Sequence, residues 1–290
     1  MRAFAFAQTL ALAAAVMAGA APIQLAWAQP APATGEPPLV VYAAGSMTGA
    51  LGAMLKRYTA ETGRQTRLSV GPAGLMLDKI EAGDAVDLFV SANMAHPRRL
   101  TAEHKSTATV VLARNRICVT GRPSLGLTRS NLLDKLLEPG VRIGTSTPKA
   151  DPGGDYAWAL FEKAGTVRPG AAETLKAKAR QVVGAKVEPP QPPGAAPTSA
   201  LAGMDRYGVD VMVGYCSGHT TSPDPSVTRV EVPPELAIPV DYGMTALTTS
   251  PDPERREAAA RLALYLMSPE AQALMTPYGF IPVATSNVVR

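Results

Sequence analysis

The residues best placed to do chemistry lie at a turn between an apolar run and an amphipathic helix. The pattern predicts a buried strand over 39–43 and a helix whose apolar face begins at Leu51. Ser46 stands between them, where free backbone N–H groups and the positive end of the helix dipole favour an anion. A serine hydroxyl at this point also suits a plain helix N-cap. Both interpretations of Ser46, anion ligand and cap, stay open.

A second turn of this kind spans 151–156. Gly153 and Gly154 have no Cβ atom, so the backbone there can approach a ligand closely and present N–H donors. Asp151 or Asp155 could instead cap the helix that follows, and their carboxylates would repel an anion. The turn is a weaker indication of a binding site than the one at Ser46.

The segment 214–218, Gly-Tyr-Cys-Ser-Gly, matches the nucleophile elbow of hydrolases, with Cys216 as the nucleophile. That motif requires a helix directly afterwards, and the prolines of 219–225 forbid a long one. His219 is too close along the chain to face Cys216 as a catalytic base would. A secreted Cys-dependent hydrolase is therefore disfavoured, and an exposed Cys216 beside a histidine would support it.

Cys118 and Cys216 are the two cysteines of the chain. In an oxidising compartment such a pair can form a disulfide, but both also stand in strand-like segments where two buried thiols would fit. The sequence leaves these alternatives open. Without a histidine cluster they do not make a zinc site, and we find no phosphate loop or dinucleotide fingerprint. We expect no metal, no cofactor and no catalysis.

The ends and the composition indicate an exported protein. Residues 1–28 have one charge, an apolar stretch and a small-x-small cleavage site, which predicts a signal peptide, and the Pro/Ala/Gly-rich leader 29–38 is expected to stay disordered. No later segment is a plausible membrane span. The net charge of +4 is spread along the chain and aromatic residues make up 5%, so nucleic acid is not an expected partner.

Strand and helix signals alternate, which is typical of an α/β protein. Extended segments near 109–120 and 236–249 are predicted to cross between two lobes, giving lobe 1 as 39–115 plus 242–290 and lobe 2 as 116–241. The pattern of 171–183 predicts a helix, and five prolines make 188–197 an irregular connector.

Three motifs resemble those of the periplasmic molybdate-binding proteins of ABC importers, and the similarity covers about residues 39–282. They are Val-Val-Tyr-Ala-Ala-Gly-Ser-Met-Thr at 40–48, Ile-Glu-Ala-Gly-Asp-Ala-Val-Asp-Leu-Phe-Val-Ser-Ala-Asn at 80–93, and Ser-Pro-Glu-Ala-Gln-Ala-Leu-Met-Thr-Pro-Tyr-Gly-Phe at 268–280. The resemblance implies an α/β fold of two lobes, a type II periplasmic-binding-protein fold in which each lobe is a mixed sheet flanked by helices. It also implies a monomeric periplasmic protein that holds an oxyanion in the cleft and delivers it to a membrane permease.

The resemblance carries a set of ligand positions with it. We expect the ligand-binding residues to be Ser46, Ala73, Gly153, Thr198 and Tyr215. Two of these places depart from the family pattern. The usual serine pair is Pro72-Ala73 here, which removes a hydroxyl, and an ungapped count puts Pro197, which has no N–H, at a backbone donor position that Thr198 fills only after a shift of one residue. Tyr215 could also be a packed aromatic residue at a hinge.

The resulting expectation is an ABC importer's binding protein for molybdate or a similar tetrahedral oxyanion such as tungstate. The departures at Pro72, Ala73 and Pro197 keep a second reading open, in which the same fold binds a different small solute.

Overall fold

The computed structural model describes residues 35–185, 199–218 and 224–285. The predicted signal peptide, most of the predicted leader, the proline-rich connector and Thr198 lie outside these described residues. Within them the strands are β1 (Leu39–Ala44), β2 (Thr66–Gly71), β3 (Leu88–Ser91), β4 (Val110–Asn115), β5 (Ile117–Gly121), β6 (Ile143–Ser146), β7 (Ala179–Val183), β8 (Val211–Tyr215), β9 (Thr228–Glu231), β10 (Val240–Ala246) and β11 (Ile281–Pro282). The α-helices of the described residues are α1 (Thr48–Thr62), α2 (Ala73–Glu81), α3 (Ala95–Ala102), α4 (Leu132–Leu137), α5 (Pro152–Val167), α6 (Ala171–Lys178), α7 (Ala200–Tyr207), α8 (Pro253–Leu266) and α9 (Pro269–Ala273).

The first lobe is built on a six-stranded sheet with the order β11-β4-β10-β3-β1-β2. Strand β1 is parallel to β2 and β3, whereas β10 runs antiparallel to β3 and β4. The central strand β1 is apolar and almost wholly buried, as expected for a strand with helices on both faces of its sheet. Helices α1, α2, α3 and α8 contact the strands of this sheet.

The second lobe is built on a five-stranded sheet with the order β7-β6-β8-β5-β9. Strands β7, β6 and β8 are parallel to one another, and β5 is antiparallel to both β8 and β9. Helix α5 contacts β6 and β8 and packs against α6. Both sheets are therefore mixed and flanked by helices, as the resemblance implied.

The chain passes from one sheet to the other through a very short joint. Strand β4 of the first sheet ends at Asn115 and strand β5 of the second begins at Ile117, with Arg116 alone between them. The chain returns between β9 and β10, and the last helices, α8 and α9, then contact α1 of the first lobe.

A buried ion pair fastens α8 to the first sheet. Asp87, which is 3% exposed, accepts from the backbone N–H of Val40 at 2.6 Å and from Arg255 Nη2 at 2.6 Å. Arg255 also donates to the carbonyl of Pro38 at 3.0 Å. Because the carboxylate is matched by a cation and a backbone donor, its burial is compensated, and removing one partner would leave an unpaired buried charge.

One predicted element is wrong. The helix expected over 171–183 ends at Lys178, and Ala179–Val183 forms β7, which pairs in parallel with β6. The β-branched pair Val182-Val183 favours a strand, and an available sheet edge decides the conformation where local periodicity does not. None of the helices in the described ranges combines the length and the apolar character that a membrane span requires.

Candidate functional site

The turns that follow β1 and β2 lie side by side at the carboxyl ends of these strands. Strands β1 and β2 are parallel and in register at their ends, with Ala44 beside Gly71, so the segments that follow both strands emerge together. After β1 comes a 3-10 turn, Gly45–Met47, and after β2 comes the start of α2. The parallel pairing thus brings Ser46 and Pro72 to the same cavity.

Ser46 does not cap a helix, so that alternative interpretation is wrong. Helix α1 begins at Thr48 without a side-chain cap, and Ser46 Oγ instead lies 2.7 Å from the hydroxyl of Tyr242 on β10. Asn115 Nδ2 donates to the Tyr242 oxygen at 3.2 Å. Either hydroxyl can donate in the contact between Ser46 and Tyr242, and Ser46 itself lines the cavity.

Asn115 joins the two lobes at this point. Its Oδ1 accepts from the N–H of Arg116 at 2.8 Å, which fixes the amide so that Nδ2 faces the other way. Besides Tyr242 in the first lobe, Nδ2 donates to Ser217 Oγ in the second lobe at 2.8 Å. Both Asn115 and Ser217 are buried, so these hydrogen bonds are sheltered from water.

On the second lobe, the predicted donor Gly153 lies in the first turn of α5 and lines the cavity. Its N–H points at Asp151, whose Oδ1 accepts it at 3.3 Å, so Asp151 is the N-cap of α5. Burial raises the pKa of the Asp151 carboxyl above its usual value. A carboxyl group therefore stands on the cavity wall beside the predicted anion donor.

Backbone N–H groups at the start of α2 form hydrogen bonds with the second lobe. The N–H groups of Gly74 and Leu75 donate to the carbonyl of Ala150 at 3.0 and 3.3 Å. A Cβ atom added to Gly74 would lie 2.1 Å from the Lys149 carbonyl, so only glycine permits this approach. Ala73, a predicted ligand position, is completely buried and is not among the residues that line the cavity.

Tyr215 ends β8 and lines the cavity, as the resemblance implied for its position. Its ring packs edge-on against Tyr156 and Tyr242, with centroid distances of 6.2 and 5.6 Å. Its hydroxyl oxygen is buried and has no geometric hydrogen-bond partner within the described residues. Burial raises the pKa of Tyr215 well above its usual value, so the phenol stays protonated.

The next residue along the chain, Cys216, is bonded to Cys118 in a disulfide that links β5 to the end of β8. Cys216 is 9% exposed and carries no free thiol. The nucleophile-elbow interpretation of 214–218 is therefore wrong, because an oxidised and buried sulfur cannot attack a substrate. The bridge instead holds the strand that positions Tyr215.

The cavity between the lobes has a volume of about 440 Å³. Its first-lobe wall consists of Ala44, Gly45, Ser46, Gly71 and Pro72, and its second-lobe wall includes Ser146, Asp151, Gly153, Gly214 and Tyr215. A further part extends over the second sheet beneath α7, lined by Thr120, Met204, Tyr207, Met212 and Arg229. The described residues contain no group of three or more His, Cys, Asp or Glu side chains that could hold a metal ion.

Of the predicted ligand residues, Ser46, Gly153 and Tyr215 therefore share one cavity, Ala73 stands behind its wall, and Thr198 lies outside the described residues. Sequence reasoning missed Ser146, Tyr242 and Arg229. No local signal could have found Tyr242, since it meets Ser46 across 196 residues of chain.

Two lobes with a cavity between them, and a double chain crossing beside it, define a two-lobed solute-binding protein. A family model described as bacterial extracellular solute-binding protein matches residues 39–281, and the chain belongs to this family. Its sequence is 36% identical over 187 residues to an uncharacterized protein of Pasteurella multocida, covering 63% of this chain and 76% of that protein.

Solved structures of binding proteins share the fold. The periplasmic molybdate-binding protein of Azotobacter vinelandii has a TM-score of 0.66 at 16% identity, covering 85% of this chain and 100% of its own. The sulfate-binding protein SubI of Mycobacterium tuberculosis has a TM-score of 0.67 at 18% identity, covering 86% and 88%. The periplasmic binding protein AfuA of Actinobacillus pleuropneumoniae, solved with fructose-6-phosphate, has a TM-score of 0.66 at 14% identity, covering 86% of each chain. At these identities the likeness concerns the fold, which is that of periplasmic binding proteins.

Proposed function

We propose that this protein is the periplasmic binding component of an ABC importer. It captures a small solute between its lobes and delivers it, chemically unchanged, to a membrane permease. The observation that carries this proposal is the interlobe cavity, which Ser46 of the first lobe and Tyr215 of the second both line. Closing two lobes around a guest creates a shape that a permease can recognise.

We further propose that the solute is an organic molecule larger than a bare tetrahedral oxyanion. Molybdate consists of four oxygens around one metal atom, so it is about the size of a few water molecules. The cavity of about 440 Å³ lies instead in the range of pockets for small organic ligands. A single oxyanion would leave most of it to water.

The donors expected for an oxyanion are also engaged by the chain itself. The Gly74 and Leu75 amides of α2 donate to Ala150, and the Gly153 amide donates to Asp151. The Asp151 carboxyl, once ionised, repels a dianion at that wall. These contacts favour a solute that meets hydroxyl groups and apolar side chains over one that needs several free backbone amides.

Molybdate or tungstate is the second candidate. Ser46 and Tyr215 stand at positions that the resemblance assigns to molybdate ligands, and a protein of the same fold is a molybdate-binding protein. The sulfate and fructose-6-phosphate proteins show that this fold accommodates both bare oxyanions and organic phosphates.

A thermal-shift screen separates the candidates. It uses molybdate, tungstate and sulfate as one arm, and neutral sugars, sugar phosphates and short carboxylic acids as the other. A solute at a hundred times its Kd stabilises the folded state by about 2.7 kcal/mol, which raises the Tm by roughly 5–10 °C for a chain of this size. A response confined to the organic arm supports the proposal. A response confined to molybdate and tungstate overturns the organic assignment, and no response in either arm counts against a binding function.

A further inference from the structure

The inner part of the cavity presents one side chain from each of three adjacent strands. Arg229 on β9 lies directly opposite Thr120 on β5, and Thr120 in turn lies opposite Met212 on β8. Residues opposite each other across a sheet point to the same face, and all three line the cavity. Helix α7 contributes the facing wall through Met204 and Tyr207.

Arg229 is held in this row by one hydrogen bond. Its Nε donates to Thr120 Oγ1 at 3.0 Å, which fixes the plane of the guanidinium. Among the described residues, Arg229 takes part in no ion pair. None of these residues accepts a hydrogen bond from its terminal Nη atoms. Within the described part of the chain the terminal N–H groups of Arg229 are therefore left for a guest.

The acidic group whose charge acts on Arg229 is Asp224, and its carboxylate is engaged elsewhere. Its oxygens accept from the N–H of Ala200 at 2.6 Å, the N–H of Ser226 at 2.9 Å and the hydroxyl of Ser226 at 2.5 Å. Asp224 thus fixes the start of α7 and does not form an ion pair with Arg229. Burial lowers the pKa of Arg229, with Asp224 acting in the opposite direction, as expected for a partly buried cation without a direct counter-ion.

A guanidinium presents a planar fork of donors that matches a carboxylate or a phosphate group with two parallel hydrogen bonds. A partly buried cation that lacks an anion is unfavourable, and an anionic group of a ligand would relieve that cost. Beside the fork the walls are apolar, formed by Met204, Met212 and Val213. The same pocket therefore offers a site for an anionic head group and a surface for a carbon skeleton.

We propose, building on the proposed function, that the transported solute is an organic anion whose carboxylate or phosphate head group binds Arg229 beneath α7. Its carbon body lies along Met204 and Met212 toward the cleft. Its polar groups at the other end meet the hydroxyls of Ser46 and Tyr215.

The test compares charged and neutral members of matched pairs on the full chain and on three variants. The probes are glycerol 3-phosphate with glycerol, fructose 6-phosphate with fructose, and hexanoate with hexanol, together with molybdate. Arg229→Gln removes the cation and the fork, Arg229→Lys keeps the charge alone, and Arg129→Gln is the matched control. Arg129 lies in the same lobe, has a side chain 53% exposed and pairs with Glu231 outside the cavity.

We expect titration calorimetry to show that the best-binding organic anion loses about tenfold or more in affinity in Arg229→Gln, the loss of a charge-assisted hydrogen bond. The affinity of Arg229→Lys should lie between those of Arg229→Gln and the unchanged protein. The affinity of Arg129→Gln should equal that of the unchanged protein. Preference for phosphate or carboxylate probes tells which head group is used. The Tm without ligand should not fall in Arg229→Gln, which excludes misfolding.

Three results would overturn this assignment. Equal affinity of Arg229→Gln and the unchanged protein for the best organic anion is the first, and binding of molybdate alone is the second. Stronger binding of the neutral members, unaffected by Arg229→Gln, is the third, and it would leave the importer function standing. If no probe binds at all, both the assignment and the proposed function fail.

Discussion

Removing the disulfide between Cys118 and Cys216 should destabilise the second lobe strongly. The two cysteines are 98 residues apart in sequence, so the bridge closes a long loop in the unfolded chain. On the chain-entropy account, a closed loop of this length contributes about 4.7 kcal/mol of stability at 25 °C. With a urea m value of about 3 kcal/mol per M, the unfolding midpoint of Cys118→Ala/Cys216→Ala should fall by about 1.5 M.

Tryptophan fluorescence gives this measurement a reporter in the correct lobe. The chain has two tryptophans, Trp27 and Trp158, and the first lies within the predicted signal peptide. In protein without that segment, Trp158 on α5 reports the unfolding of the second lobe alone. This matters because the two lobes need not unfold in one transition.

Reduced and oxidised samples provide the control. Reductant should lower the urea midpoint of the unchanged protein toward that of the double variant. It should not change the midpoint of the variant. Coincident midpoints for the oxidised protein and the double variant would refute the loop-closure reasoning. We also expect the solute affinity of the variant to fall, because β8 would hold Tyr215 less firmly.

Two further changes probe the cleft. Gly74→Ala places a Cβ atom 2.1 Å from the Lys149 carbonyl, so the lobes should fail to close and calorimetry should show at least about tenfold weaker solute binding, about 1.4 kcal/mol. Gly52→Ala on α1, where nothing lies within 4 Å, is its control and should only stabilise the fold, by about 0.5–1 kcal/mol; equal effects of the two would contradict the close approach. Burial raises the pKa of the Asp151 carboxyl in the folded protein above its usual value of 3.8. The protonated carboxyl therefore contributes its full stability below pH 3.8, and this contribution is lost as the pH rises through the pKa of the folded state. Asp151→Asn should therefore make the free energy of unfolding depend less on pH between these two pKa values, and it should bind an anionic solute several-fold more tightly. An unchanged dependence of the unfolding free energy on pH would argue against a buried carboxyl.

The sequence carries enough local information to predict the elements that position the site. The apolar run of β1, the turn at Ser46 and the helix starts of α2 and α5 follow from residue type and periodicity, and the structure confirms them within a few residues. The fold class follows from the alternation of these elements together with the family motifs. Strand β7 is the exception, because its conformation depends on a neighbouring sheet edge.

The contacts inside the site could not be predicted in the same way. Whether Ser46 caps a helix or meets another hydroxyl depends on Tyr242, which comes from the returning part of the chain. The two cysteines fit a bridge and two free thiols equally well until β5 and β8 are known to be neighbours. Arg229 looks like any arginine on an alternating strand, and only the register of three strands and the placement of α7 put it in a cavity.

The joint at Arg116 has a mechanical consequence. One residue between two paired strands leaves only a few backbone torsions to absorb a rotation of one sheet against the other. The amide of Asn115 donates to a hydroxyl group of each lobe beside this joint, so it ties the two lobes together there. The second crossing, from β9 to β10, joins strands that lie beside β5 and β4, so probes attached to the two sheets should report one shared opening rate.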